Sequence, residues 1–326
     1  MIFTKNLYNS ILSNPVKENG YNNLSIITGY SSPGMVKQHF DKINDPSFKI
    51  NIIIGMGSGG SINHNYYKNL MKSYPERFGC YYFNETGNSV HSKLYIWSKN
   101  DSYCGFAGSA NYSNQAFFNN SRYELMFQLN ENEIRKALNY YDKIKNLSVL
   151  CTDPEIDRTI NSEDVSFEGS LSEDVKLFDG TAIELEPCNG RRRIRLSLLT
   201  KNGKAHNPGN GLNWGIGTEK RPRKDKNASF IPTRDSKKWG FFPPWEKKYF
   251  IIQDYHDKDD MFFGMIGGTD GKNLSSGEDN QIFGAWFRKK LGLKYGEIIT
   301  KSHLLNYGKT YVDFHKVDDE TFLIEF

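Results

Sequence analysis

The first half of the chain alternates short apolar runs with segments of helical period. Residues 24–30 (LSIITGY) read as a strand and 48–54 (FKINIII) as a strongly β-branched one. Helices are predicted over 35–43 and 61–74, and short strands over 81–83, 91–97, 103–107 and 123–129. Residues 131–145 (ENEIRKALNYYDKIK) form an amphipathic helix with an acidic start and a basic end. Strands interleaved with helices predict a mixed sheet covered by helices, an α/β domain over residues 1–150.

Residues 153–174 break the pattern. They are rich in acids, serine and turn formers and show little periodicity, which predicts an acidic linker over 151–175. Beyond it the period changes. Residues 191–199 (RRRIRLSLL) alternate, placing Ile194, Leu196 and Leu198 on one face. Strands are predicted at 249–252, 262–266, 311–315 and 321–326, with Gly-, Pro- and Asn-rich connections and one helix at 280–291. This half, residues 176–326, reads as a mainly-β barrel or pseudobarrel.

A chain of 326 residues with 37% hydrophobic and 14% aromatic content has material for two cores. No apolar run is long enough for a transmembrane helix, and residues 1–20 lack the apolar core of a signal peptide. Cys80, Cys104, Cys151 and Cys188 lie far apart in sequence with no C-x-x-C pair. That disfavours a zinc site or disulfide framework and leads us to expect a cytoplasmic protein. The net charge of +4 hides an asymmetry: residues 191–248 hold 16 Lys+Arg against 4 Asp+Glu, whereas 150–175 hold 8 acids and one base, Arg158. A basic block beside an acidic one points to nucleic acid as partner.

The chemistry concentrates in HSKLYIWSKNDSYCGFAGSANYS, residues 91–113. His91 and Lys93 sit two apart in a predicted strand, so both side chains are expected on one face. A second strand ends in Gly108-Ser109-Ala110-Asn111, whose turn can bring Ser109 and Asn111 beside them. Glu124 follows among apolar neighbours, an unusual setting for a lone carboxylate. The set suits phosphoryl transfer. The His91 imidazole can attack phosphorus, while Lys93, Ser109 and Asn111 supply cationic and neutral donors to its oxygens. Glu124 can fix the tautomer of the His91 ring. No metal is required for this.

These residues resemble the phospholipase D superfamily motif: H-x-K, four residues, Asp, six residues, G-S or G-G, and a following Asn. The match covers His91, Lys93, Gly108, Ser109 and Asn111. It departs at the motif Asp, where Ser98 stands. The bacterial nuclease branch often lacks that Asp and uses a downstream Glu, a position Glu124 fills, so the departure favours a nuclease over a phospholipase. Superfamily sites use two such motifs, and this chain carries one. His256-Asp257-Lys258 repeats H-x-K, but in an acidic stretch with no G-S-x-N after it. The resemblance therefore implies a homodimer with the site on a two-fold axis. One His91 is then the nucleophile and the other the acid and base.

Two further patterns carry less. Residues 55–60 (GMGSGG) fit G-x-G-x-x-G, but no regular βαβ unit follows. A glycine loop near a phosphate backbone, or a plain turn, fits better than a dinucleotide site. Asp254, Asp257, Asp259 and Asp260 read as an exposed turn rather than a metal site.

In the second half, residues 207–215 (NPGNGLNWG) lead into Lys220-Arg221-Pro222-Arg223-Lys224. Glycine and asparagine allow close approach to DNA, cations meet phosphates, and Asn213 and Arg223 are types that read base edges. Lys204 and Trp214 belong to the same candidate surface. A second predicted loop, 269–281, offers Lys272, Asn273 and Asn280. LSLLTKNG, GLNWG, FFPP, IFGAWFRKKLGL and the closing LNYGKTYVDFHKVDDETFLIEF resemble the plant B-three-type pseudobarrel of BfiI-like and NgoFVII-like restriction endonucleases. In that fold two loops grip the major groove; by position they fall in 207–226 and 269–281.

The combined expectation is a site-specific, type II-like restriction endonuclease that hydrolyses double-stranded DNA without a metal or other cofactor. It would act through a phosphohistidine intermediate in one site of a homodimer. One recognition domain per subunit implies an asymmetric target with offset cleavage. A helicase-like ATPase subunit and a cognate DNA methyltransferase are partners the resemblance allows; this chain has no G-x-x-x-x-G-K-[ST] of its own, so any ATP dependence would come through such a subunit. Two other classes stay open at this level, a sequence-nonspecific phospholipase D-type nuclease or phosphodiesterase and a catalytically silent DNA-binding protein. So does an autoinhibitory role for the acidic linker.

Overall fold

The computed structural model describes residues 1–57, 60–118, 123–162, 180–233, 239–243, 249–269 and 271–326. The chain forms two compact units, Met1–Phe167 and Glu168–Phe326.

The first unit runs β1 (Ile2–Phe3), a π-helical segment (Tyr8–Ser13), α1 (Asn14–Asn19), β2 (Asn23–Thr28), α2 (Pro33–Ile43), β3 (Lys49–Ile54), α3 (Ser61–Ser73) and β4 (Phe78–Phe83). It continues with β5 (Lys93–Lys99), β6 (Ser102–Gly108), α4 (Asn114–Phe118), β7 (Met126–Gln128), α5 (Glu131–Asn146), β8 (Ser148–Leu150) and α6 (Pro154–Ser162). The strands form one sheet in the order β1-β7-β6-β5-β2-β3-β4-β8. β2, β3 and β4 are parallel, and β5 lies antiparallel to β2 with Ile27 opposite Leu94. The central strands are buried on both faces, which is why they read as unbroken β-branched runs. Ile27, Ile53, Leu94 and Ile96 meet Tyr141 and Ile144 of α5 on one face. On the other, Trp97 stacks on Phe48 and its indole N–H donates to the Ile11 carbonyl at 2.8 Å. α5 begins with a reciprocal capping box between Asn130 and Glu133.

Three expectations shift in this unit. His91 precedes β5 rather than lying in it, and Glu124 precedes the short β7. The start of the expected linker is the helix α6, with Asp157 accepting hydrogen bonds from Lys68 (2.6 Å) and from buried His64 (2.9 Å); residues 163–179 lie outside the described set. The cysteines are free, yet sequence distance misleads: Cys151 donates its N–H to the Cys80 carbonyl across the β4–β8 edge. No described helix is long and apolar enough to cross a membrane.

The second unit runs β9 (Ala182–Cys188), β10 (Arg191–Ser197), a 3₁₀ segment (Gly211–Ile216), β11 (Ile231–Pro232), β12 (Tyr249–Asp254), β13 (Met261–Gly267) and β14 (Asn273–Ser276). Then come α7 (Asn280–Leu291), α8 (Lys301–Tyr307), β15 (Tyr311–Lys316) and β16 (Thr321–Glu325). The sheet order is β11-β14-β13-β12-β16-β15-β10-β9, antiparallel except where β12 meets β16. One core gathers Ile194, Leu196 and Leu198 with Ile252, Phe262, Phe314, Phe322 and the α7 residues Phe283 and Phe287. The alternation of β10 sends Arg193 and Arg195 to the opposite face, where both guanidinium groups bind the buried Asp313 carboxylate at 2.6 and 2.8 Å. The expected loop 269–281 is partly regular, holding β14 and the start of α7.

Two side chains change role here. Asn213, expected as a base reader, is fully buried, with its side chain bonded to backbone. Its Nδ2 donates to the His206 and Ile299 carbonyls at 2.7 and 2.9 Å, and its Oδ1 accepts the Ile299 N–H at 2.9 Å. It pins the 3₁₀ segment to the approach to α8. Asp254, expected in an exposed turn, is also buried, accepting from Trp286 Nε1 at 3.1 Å and pairing with Lys290. No group of three or more metal-ligating side chains occurs among the described residues.

Asn213→Ala leaves two carbonyls and one N–H buried without partners. We expect it to destabilise the second unit by about 2–4 kcal/mol, seen as a lower urea midpoint. The partly buried pairing of Glu325 with His315 (3.0 Å) and Lys309 (3.3 Å) holds its carboxyl down at about 2. A depressed carboxylate stabilises above its unfolded value and loses that contribution as pH falls towards the folded one. Wild-type stability should therefore drop between about pH 4.5 and pH 2, and Glu325→Gln should flatten that drop by an amount on the order of 2 kcal/mol in urea titrations across this range.

Candidate active site and DNA-binding loops

The sheet order of the first unit brings distant segments to one edge. β2 and β3 end there, as parallel neighbours must. β5, antiparallel to β2, begins there, and Lys93 lies opposite Gly108, the last residue of β6. Gly108 in turn lies opposite Met126 at the start of β7. His91, Lys93, Ser109, Asn111 and Glu124 thus collect where three β-segments terminate, beyond the carboxyl ends of the parallel strands.

Lys93 is buried, and burial holds its ammonium below the ordinary lysine range, opposed by the nearby Glu124 charge. Its Nζ donates one hydrogen bond to the His91 carbonyl at 2.5 Å, leaving further N–H donors. The His91 ring is exposed and lies against Gly29: a Cβ there would fall 2.9 Å from His91 Cδ2 and 3.4 Å from Asn111 Oδ1. Imidazole and carboxamide therefore flank the same backbone atom. Met56, just after β3, joins them, since its Sδ would lie 3.4 Å from that Cβ; Ser58 and Gly59 of the glycine segment lie outside the described residues. Asn111 Oδ1 accepts the Tyr30 N–H at 3.1 Å.

Ser109 and Glu124 take a different arrangement from the one expected. The Ser109 hydroxyl donates to Glu124 Oε2, and its oxygen accepts the Leu125 N–H at 2.9 Å. Its single proton is thereby committed to the carboxylate, so it is no free donor for a phosphate. Among the described residues no hydrogen bond joins Glu124 to His91; Glu124 sits on Ser109 with its charge near Lys93. Gly108 permits this, because a Cβ there would fall 2.1 Å from the Leu125 carbonyl that pairs with Ser109 N–H. The chemically available set is an exposed imidazole, a buried ammonium with spare donors, and the Asn111 amide. That combination can offer a nucleophile and donors to a tetrahedral phosphorus centre. The second H-x-K, His256 and Lys258, lies in the β12–β13 turn of the other unit.

In the second unit a hollow of about 500 Å³ opens between the turn after β10 and the start of β14. Lys201, Asn210, Lys272 and Asn273 line it, with Thr200 and His206, whose imidazole burial pushes below the ordinary histidine range. Lys272 and Asn273 thus share one concavity with the 200–210 segment. Asn280 does not, because it begins α7 beyond the other end of β14. Lys204, Lys220, Arg221 and Lys224 are exposed. Arg223 is drawn in, its guanidinium 3.8 Å from the Trp214 ring centroid. That stack, and the paired backbone of Thr218 and Arg221 (3.0 and 3.1 Å), hold the basic turn against the 3₁₀ segment. The sequence singles out none of Thr200, Lys201 and His206 as candidates, whereas Asn210 lies within the candidate segment 207–215; of the first three, only Lys201 carries a signal, its charge.

Comparison with known proteins fits this division. The family model for the NgoFVII restriction endonuclease N-terminal phospholipase D domain matches residues 5–158. That for the NgoFVII C-terminal B3-like DNA-binding domain matches residues 188–318. No curated protein matches. Among solved structures the chain is similar to NucT from Helicobacter pylori, at 22% identity and a TM-score of 0.34, over 46% of this chain and 97% of that one. It is also similar to the polyphosphate kinase from Porphyromonas gingivalis, at 10% identity and a TM-score of 0.30, over 46% of this chain and 25% of that one. The two family models, consecutive in order and each falling within one unit, carry the assignment: the chain belongs to the NgoFVII restriction endonuclease family, a DNA endonuclease of the phospholipase D type joined to a B3-like DNA-binding domain.

Proposed function

We propose that the protein is a site-specific restriction endonuclease that cleaves DNA through a histidine-linked intermediate in a site completed by a second copy of the chain. The observation that carries this reading is the convergence of His91, Lys93 and Asn111 at one sheet edge, with the imidazole exposed and the ammonium buried.

In this reading a His91 ring nitrogen attacks phosphorus. An N–P bond forms, the P–O bond to the leaving nucleotide breaks, and the leaving oxygen takes a proton from the second copy's His91. Water then attacks the phosphohistidine, the N–P bond breaks, and the second imidazole recovers a proton from the water. Lys93 and Asn111 donate to the non-bridging oxygens as charge builds on them. Glu124, held by Ser109, balances the Lys93 charge instead of orienting the His91 ring. Because ammonium and amide supply the stabilisation, the step needs no metal. The lone motif supports the homodimer: an acid on the far side of phosphorus must come from elsewhere, and a second copy supplies it.

The hollow lined by Lys201, Asn210, Lys272 and Asn273 supports base reading by the second unit, and the exposed Lys204, Lys220, Arg221 and Lys224 support phosphate contact. One reading unit per subunit fits an asymmetric target with cleavage offset from it. A helicase-like ATPase subunit and a cognate methyltransferase belong to the same proposal as separate chains.

Wild-type protein should cut phage DNA into discrete fragments in EDTA, and His91→Ala should lower the rate at least about 1,000-fold with DNA binding retained. Cutting by the protein alone that needs an added divalent cation and is lost in EDTA, or a smear in place of fragments, would overturn the metal-free or the site-specific part. If wild type is silent alone, addition of ATP and the ATPase subunit should restore His91-dependent cutting. Combined Lys220→Ala, Arg221→Ala and Lys224→Ala should weaken binding alike for all sequences and make the slope of log K against log salt shallower by about 2–3. Asn273→Ala should instead relax sequence preference, read by cleavage of a randomised-site library.

A further inference from the structure

The loop after β2 carries no sequence motif, yet it packs directly on His91 and Asn111. Thr28 is fully buried. Its hydroxyl oxygen accepts the Tyr112 N–H at 3.1 Å. The same hydroxyl lies 2.7 Å from the Tyr30 carbonyl and 3.1 Å from Asn111 Oδ1, and its proton serves one of those oxygens at a time. The Tyr30 N–H donates to the same Oδ1 at 3.1 Å. A backbone N–H is only a donor, so this contact fixes which end of the Asn111 carboxamide is oxygen. The Nδ2 end keeps its donors, with no protein acceptor among the described residues. Thr28 is the hub of this arrangement: one buried oxygen ties the residue that orients Asn111 to the residue that follows it.

Gly29 acts by space rather than by backbone conformation. Its φ is not in the left-handed region, but a Cβ would meet the His91 ring at 2.9 Å and Asn111 Oδ1 and Met56 Sδ at 3.4 Å each. Any side chain there displaces the imidazole.

We propose that Thr28 and Gly29 are positioning residues of the active site: Thr28 keeps the Asn111 carboxamide turned with its N–H donors free for the phosphate, and Gly29 leaves the space in which the His91 ring lies. This rests on the reading of His91 as nucleophile and Asn111 as donor. It adds residues that the H-x-K and G-S-x-N motifs do not contain.

The test is single-turnover cleavage with DNA affinity measured in parallel. Thr28→Val keeps the shape and removes the hydroxyl; the rate should fall about 10- to 100-fold while affinity changes less than about twofold. Thr28→Ser should recover most of the rate. Thr28→Val combined with Asn111→Ala should be no slower than Asn111→Ala alone, because Thr28 acts through Asn111. Gly29→Ala should slow cleavage in the same range with affinity kept, and it carries the test if Thr28→Val does not fold. A wild-type rate in folded Thr28→Val, additive losses in the double variant, or an unimpaired Gly29→Ala overturns the corresponding half of the proposal. His91→Ala separates the two levels. If it cuts as fast as wild type, the catalytic reading itself fails; if it is dead while Thr28→Val and Gly29→Ala are unimpaired, only this inference fails.

Discussion

The antiparallel ladder between β2 and β5, with Ile27 opposite Leu94, decides where the candidate catalytic side chains end up. β2, β3 and β4 run parallel, so their carboxyl ends share one edge of the sheet. Pairing β5 against β2 in the opposite sense places the start of the H-x-K segment at that edge. The hairpin to β6 returns the G-S-x-N turn to the same place, with Lys93 opposite Gly108. A slip of one residue in this register would move Lys93 to the α5 face and send Leu94 towards the site. The ladder is held by apolar contact on both sides, Ile27, Ile53 and Leu94 against α5 and Trp97 against Phe48 and the π-helical segment. The core thus fixes the chemistry through register.

Charge at the site is arranged with few groups. A buried ammonium is costly unless something opposes its desolvation. Glu124 does so for Lys93, and Ser109 fixes Glu124 in turn. The motif serine therefore works as a clamp on a carboxylate, and the donors left for a substrate are those of Lys93 and Asn111. The motif Asp position, Ser98, lies near the other end of β5, paired with Tyr103, and the carboxylate whose charge lies near Lys93 is Glu124, on the approach to β7.

The second unit separates polar groups that build from polar groups that bind. Asn213, Arg193, Arg195, Asp313 and Asp254 are buried, and each is held by hydrogen bonds or ion pairs to backbone or to other side chains. Lys204, Lys220, Arg221 and Lys224 stay in water, where their charge acts at range. Part of the basic composition of residues 191–248 is therefore structural: the Arg193–Asp313–Arg195 cluster holds β10 to β15 and contributes little field outside. The rest, presented on a turn braced by the Trp214–Arg223 stack, is the surface suited to phosphates.

Local pattern determined much of this protein. The helix at 280–291, the alternation of Ile194, Leu196 and Leu198, the order of strands and helices, and the H-x-K and G-S-x-N segments were legible because each depends on neighbours close in sequence. Sidedness and partnership were not. Asn213 looks in sequence like a reader of bases, and only the carbonyls of His206 and Ile299 make it a pin. Glu124 looks like a partner for His91 until Ser109 claims it. Thr28 and Gly29 stand some 60 residues before the motif they pack against and belong to no pattern. Hydrophobic period reports which face of an element is buried; which polar atom meets which depends on strand register and on contacts across the sheet, and these exist only once the chain has closed on itself.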